Sequence, residues 1–283
     1  MKHQDEFSVT LMCRLLKLSR AGFYEWRSRK PSAQAVANQK LLIEIKDIFD
    51  VSDGTYGSPR VVSELKANGT LCSKSRVARL MNKAGLKAVA GRKFKPQTTD
   101  SNHSEPISQN VINQDFSANE IGQKVGCDIT YIPTNQGWLY LAVVVDFYSR
   151  KILGYAFSNR LESSLICQAL IKAIGRNKLP RELLHHSDRG SQYASFRYRT
   201  LLKSLDITQS MSRAGNCYDN ALVESFFHTL KVERVHRRKY LTRDSAKIDI
   251  ENYINYWYNS QRRHSSLGML SPAEFIKTHR LAA

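Results

Sequence analysis

The sequence has 283 residues and carries 43 Lys and Arg against 25 Asp and Glu, a net charge of +18. A surplus that large points to a polyanionic partner, and 42% apolar with 24% charged residues excludes a disordered chain. The longest apolar run, 138–145, falls far short of the roughly 20 residues of a spanning helix, the N-terminus lacks a signal peptide's apolar stretch, and five scattered cysteines with no Cys-x-x-Cys pair support neither disulfides nor a zinc ribbon. These features lead us to expect a cytoplasmic protein with free thiols, not bound to a membrane.

Residues 1–92 read as basic and helical. Apolar spacing predicts a helix over 9–18, a break at Ser19-Arg20-Ala21-Gly22, and a second helix over 33–49 with Leu41, Leu42, Ile45, Ile48 and Phe49 in one stripe. Ser58 and Pro59 suit the start of the next helix, which Asn68-Gly69-Thr70 stops. A further helix over 73–84 buries Val77, Leu80 and Met81 and turns Lys74, Arg76, Arg79 and Lys83 outward. Helix, glycine turn, helix is the outline of a helix-turn-helix, although a solvated bundle face has the same pattern. Residues 93–118 are polar and read as a linker.

From residue 119 to about 278 the pattern changes to α/β. Strands are predicted over 125–132, over 138–145 as a run buried on both faces, and over 151–157. A helix over 162–174, a short strand over 182–187, a helix over 195–205 and a strand over 206–211 follow. Asp219 or Asn220 is expected to cap a helix reaching Arg234. The chain closes with helical segments over 243–261 and after Ser271-Pro272-Ala273-Glu274, a capping box.

Three acids stand out in this layout. Asp128 sits among apolar strand residues, where an unpaired carboxylate is costly. Asp188 ends the fourth strand at a glycine turn, and Glu224 shares the outer face of its helix with His228 and Lys231, opposite Leu222, Val223, Phe226, Phe227 and Leu230. Such a trio would form a hard, all-oxygen site for two Mg²⁺ ions, or for Mn²⁺. Spacing alone equally allows three unrelated acids. Asp146 and Asp219 are rivals that a turn and a helix cap explain, and His185-His186 point to opposite faces of a strand. Lys231, Arg262, Arg263 and His264 are candidates for phosphate contact, with a solvated basic face as the alternative.

Asp128 and Asp188, with Glu224 after 35 intervening residues and Lys231 seven further on, resemble the D,D(35)E signature of retroviral-integrase-like recombinases. The words Asp128-Ile129-Thr130-Tyr131, His185-His186-Ser187-Asp188-Arg189-Gly190-Ser191-Gln192-Tyr193, Gly215-Asn216-Cys217-Tyr218-Asp219-Asn220 and Arg262-Arg263-His264 are similar to the second-frame (OrfB) transposases of the IS-three family of bacterial insertion sequences. The resemblance covers nearly the whole chain and is strongest over 119–278.

It implies an α/β, ribonuclease-H-like integrase core with an N-terminal helix-turn-helix-like region and a C-terminal helical extension. Asp128, Asp188 and Glu224 are then the catalytic magnesium ligands. It further implies metal-dependent strand cleavage and 3′-hydroxyl transfer at element ends, terminal inverted repeats and target DNA as partners, a homo-oligomer on DNA, and an upstream-frame product as fusion or partner. Val125, Cys127 and Asn159 depart from the family pattern without touching the acids. A catalytically weak or truncated DNA-binding regulator is the alternative function.

Overall fold

A computed structural model describes residues 6–89, 105–177, 179–180, 182–213 and 217–280. The N-terminal part is five helices: α1 Val9–Leu15, α2 Arg20–Ser28, α3 Ala33–Val51, α4 Ser58–Ala67 and α5 Lys74–Lys83. Leu41 and Ile45 of α3, Tyr56, Val61 and Leu65 of the α4 region, and Val77, Leu80 and Met81 of α5 close one apolar core. Gly57, not Ser58, is the N-cap of α4, so Pro59 occupies the second helical position. The expected break at 19–22 is instead a helix start, because the Ser19 hydroxyl accepts from Gly22 N and caps α2. Of the outward cations expected on α5, Arg76 is drawn in, its Nε donating to Asn38 Oδ1 at 2.9 Å.

Five strands form a mixed sheet in the order β3-β2-β1-β4-β5. β1 Lys124–Thr134, β2 Gly137–Asp146 and β3 Ile152–Ser158 are antiparallel neighbours. β4 Leu184–Ser187 and β5 Thr208–Met211 add in parallel beyond β1, through crossovers that carry α6 Ser163–Arg176, α7 Ser191–Ala194 and α8 Phe196–Ser204. β2 has a core on each side, as its apolar run predicts. Ala142 and Val144 face α6 and α8, while Leu141, Val143 and Val145 face α9 Ala221–Glu233 and the C-terminal helices. Trp138 is the exception in that run, half exposed at the strand entrance and edge-on to Tyr131.

Two glycines set the depth of the layers. A Cβ on Gly154 of β3 would strike the backbone of α6 at Ala169 and Ala173, and one on Gly126 of β1 would fall 2.5 Å from Val223 of α9. The helix expected over 243–261 is α10 Arg243–Asn252 followed by a π-helical segment, Tyr253–Tyr258. α11 Pro272–Arg280 opens on the expected capping box, with Ser271 N donating to Glu274 Oε2 and Glu274 N to Ser271 Oγ. Of the 93–118 linker, 93–104 lies outside the described residues. The described remainder runs along β5, where Val111 N donates to Ser210 Oγ and Ser108 Oγ to Gln209 Oε1, covering that sheet edge. Among the described residues no helix is long and apolar enough to cross a membrane.

Candidate catalytic site

The sheet register brings the first two acids side by side. β1 and β4 are parallel, with Cys127 opposite Ser187 as their last partners, so Asp128 and Asp188 each follow directly. Val125 and Cys127 point into the α6–α8 core; by alternation Asp128 lies on the α9 side, with Gly126. The close approach of Val223 to Gly126 then sets Glu224, the next residue of α9, on the same side as Asp128. Asp128 and Asp188 are half-buried and Glu224 is exposed. Backbone amides orient both aspartates: Ile129 N donates to Asp128 Oδ1 at 2.7 Å and Gly190 N to Asp188 Oδ1 at 2.9 Å.

Asp128 lies deep enough for desolvation to raise its proton affinity well above the carboxylate range, and Asp188 and Glu224 push it further. Glu224 is raised too, by desolvation and then by Asp188. Lys231, two turns along α9 from Glu224, is the cation that offsets the charge on Asp128, and its Nζ sits 5.2 Å from the centre of the Tyr131 ring. The acids therefore share one electrostatic neighbourhood and have the donor chemistry of a hard divalent cation. They are not drawn together around one: among the described residues no three His, Cys, Asp or Glu side chains form a group that could hold a metal ion as they stand.

The rivals have structural roles. Asp146 is fully buried and accepts from Gly122 N through Oδ1 and from Ser149 N through Oδ2, closing the β2–β3 turn. Asp219, also fully buried, is not a helix cap. It accepts from Arg213 N, the Arg213 guanidinium, Asn110 and Gln114, and so ties the segment before β1 to the chain beyond β5. His185 and His186 do face opposite ways, toward Tyr198 Oη and toward Ser210 and Ser212, and burial holds both neutral.

Three of the four expected phosphate contacts need correction. Arg262, Arg263 and His264 are 5%, 7% and 8% exposed. Arg262 forms a two-pronged pair with Glu233 at the end of α9, with Nε and Nη2 at 3.0 and 2.7 Å from Oε1. Arg263 does the same with Glu64 of α4 and adds Glu274 of α11. His264 packs edge-on against Tyr258, and burial lowers its pKa to about 3. Carboxylate partners satisfy both guanidinium groups, and the arginines themselves are withdrawn from the surface. Lys231 alone of the four keeps a position near the acids. Sequence reasoning missed Tyr131 as its partner, and the only available signal was that both residues fall within three or seven positions of an acid already singled out.

The chain is similar to known proteins over nearly its whole length. Integrase core domain models match residues 118–217 and 205–272, and an HTH-like domain model matches 37–94. Transposase InsF for insertion sequence IS3A, from Escherichia coli strain K12, is 44% identical over 97% of this chain and 96% of its own length. A 31 kDa protein of insertion element IS600 from Shigella sonnei is 42% identical over 96% of this chain and all of its own. Solved structures with a likeness to the chain include the catalytic core domain of BIV integrase, at 19% identity and a TM-score of 0.42 over 57% of this chain and 97% of that one. The HTLV-2 integrase core in complex with magnesium matches at 16% identity and 0.42, over 54% and 95%.

Proposed function

The chain belongs to the InsF-type transposases of IS3-family insertion sequences, an integrase core joined to an N-terminal HTH-like domain, and on that premise we propose that it cleaves DNA at the ends of its element and transfers the freed 3′-hydroxyl to target DNA. Asp128, Asp188 and Glu224 are the catalytic acids in this reading. The observation that carries it is the sheet register, which sets Asp128 and Asp188 directly after the partnered Cys127 and Ser187 of adjacent parallel strands. Asp128 is fixed in β1 by the sheet register, and its ionisation is opposed by both Asp188 and Glu224, acids 60 and 96 residues away in sequence.

Such a cluster favours whatever supplies positive charge to it. Asp128, Asp188 and Glu224 would hold Mg²⁺, with Mn²⁺ as a substitute, since all their donors are hard oxygens. Two ions bound there would polarise the scissile phosphate and lower the pKa of the attacking hydroxyl or water. The protein's own part is positional. The Ile129 and Gly190 amides hold the two aspartates, and Lys231 presents a cation beside Asp128 for a phosphate of the bound strand. DNA, as terminal repeats and as target, is the partner, and a homo-oligomer with the upstream-frame product joined or bound is the working assembly.

Asp188→Asn tests the reading. The variant should bind a duplex carrying the element's terminal repeat as the native chain does, yet yield no Mg²⁺-dependent nicked or joined product. Cleavage at the native rate would remove Asp188 from the site. If a variant with all three acids replaced by Ala had the same effect on transposition as the native chain, the regulator reading would hold instead.

A further inference from the structure

The matched HTH-like span starts at residue 37 and leaves out α1 and α2. Those two helices nonetheless follow one another across a short turn. The Ser8 hydroxyl accepts from Leu11 N and starts α1. α1 stops in a Schellman turn, with Leu18 N bonded to Cys13 O at 2.9 Å, Lys17 N to Arg14 O, and Lys17 in the left-handed region at φ 53°. Ser19 then caps α2. The link from the C-cap of α1 to the N-cap of α2 is Leu16-Lys17-Leu18-Ser19, the three- to four-residue type of turn expected of a DNA-reading pair. The link between α4 and α5 has the same glycine-type stop, at Gly69 with φ 87°, but runs from Asn68 to Ser73.

α2 has no buried residue, and Leu15 and Trp26 are exposed beside the cations of the pair. Cys13, small and 4% exposed, is the one fully buried residue of the pair, and Phe23 is half-buried against Tyr24 and Trp26. Arg20, Tyr24 and Arg27 fall at i, i+4 and i+7 on α2, one outward stripe, and all are exposed. Arg14, Lys17, Arg29 and Lys30 are also exposed, and within residues 8–30 they stand against one carboxylate, Glu25, which is paired with Arg29; exposed Glu6 precedes α1. That charge balance fits a polyanion and disfavours an acid-poor protein surface.

We propose that residues 8–28 form a second helix-turn-helix that reads duplex DNA, with α2 as the helix in the major groove and Arg20 and Arg27 as its principal DNA contacts. The inference rests on the reading above that this chain engages element ends, and it adds a second, separate contact to the one made through α4 and α5. The end of the element would then be read in two blocks.

The test uses the full chain and a duplex of the element's own end, its sequence taken from the DNA flanking the coding region, beside a shuffled duplex of equal length. Arg20→Ala/Arg27→Ala is compared with Lys74→Ala/Arg79→Ala on α5. The α2 pair should weaken binding at least about tenfold, make the salt dependence shallower by about two in log–log slope, and abolish one block of guanine N7 protection. The α5 pair should abolish a different block. If α5 changes remove protection while the α2 pair leaves Kd within about twofold and every block intact, the second reading unit is refuted and the DNA-engaging reading survives. If the native chain does not prefer the end duplex, both fail together. Leu16 and Leu18 are 68% and 59% exposed. Should Leu16→Ser/Leu18→Ser change sedimentation while the α2 pair leaves DNA binding untouched, the unit is a face for a second copy and the proposal is overturned.

Discussion

Replacing Arg262 with Met tests whether this arginine belongs to the interior or to the DNA. Arg262 and Glu233 are 5% and 6% exposed, and the guanidinium reaches the carboxylate through three contacts of 2.7–3.0 Å. Met fills most of the volume but leaves the Glu233 carboxylate buried with the Tyr253 hydroxyl, which donates to it at 2.8 Å, in place of the ion pair. Breaking a buried pair from one side costs about 3–5 kcal/mol, because the remaining charge keeps its desolvation penalty. At about 2–4 °C per kcal/mol for a chain of this size, the thermal midpoint should fall on the order of 10 °C. Adding Glu233→Leu should restore most of that loss, since an apolar pair has no charge to desolvate. The assay is urea or thermal unfolding of the three proteins, with DNA affinity measured under conditions where each is folded. A single variant that unfolds as the native chain does, yet binds DNA tenfold more weakly, would refute the interior assignment.

Two further outcomes follow from the packing. Gly154→Ala should destabilise by about 1–3 kcal/mol or abolish soluble expression, because the obstacle to its Cβ is the backbone of α6 rather than a side chain that can move. His264 titrates at about 3 in the folded chain, below the roughly 6.5 of an unfolded histidine, so the unfolded state binds its proton first. The stability this neutral ring contributes is complete above pH 6.5 and is lost as pH falls toward 3. His264→Phe, which keeps the edge-on contact with Tyr258, should therefore lose about 2 kcal/mol less than the native chain between pH 7 and pH 5, and equal urea-midpoint slopes would contradict the assignment.

What the sequence revealed depended on how local the determinant was. The apolar run of β2 announces a strand buried on both faces, and α4 and α5 are written in Pro59, Gly69, Ser73 and Gly85. The acids were singled out by their neighbours: an Asp among apolar strand residues and an Asp before a glycine turn. That they lie in one neighbourhood follows from the Cys127–Ser187 register and the Gly126–Val223 contact, neither of which has a local signature. The errors came where the deciding partner was remote. Arg263 is buried by Glu64, 199 residues earlier, and Arg262 by Glu233, 29 residues earlier, so both read as surface cations. Ser19 was misjudged for a different reason. Its neighbours Ala21 and Gly22 resemble a break, whereas a serine hydroxyl aimed at the third amide of the following turn starts a helix.

Arg262 and Arg263, adjacent in the chain, turn their guanidinium groups to different parts of the protein. Arg262 holds Glu233, the last residue of α9, whose first turn carries Glu224. Arg263 holds Glu64 of α4, while its backbone N–H donates to Tyr56 Oη and its carbonyl accepts from Arg60 Nε. Arg237, just beyond α9, adds a bond to the Asp53 carbonyl at the end of α3. The helix bearing Glu224 is thus bound at its far end to the helices of the HTH-like domain through charge-assisted contacts, part-buried at Arg263–Glu64 and exposed at Arg237–Asp53, which are stronger than neutral hydrogen bonds. Had those arginines faced solvent to hold phosphate, the ion pairs to Glu233 and Glu64 would be lost from this link, leaving the Arg237–Asp53 and backbone contacts. Their burial gives α9, which carries Glu224, a defined geometry relative to the helices of the HTH-like domain.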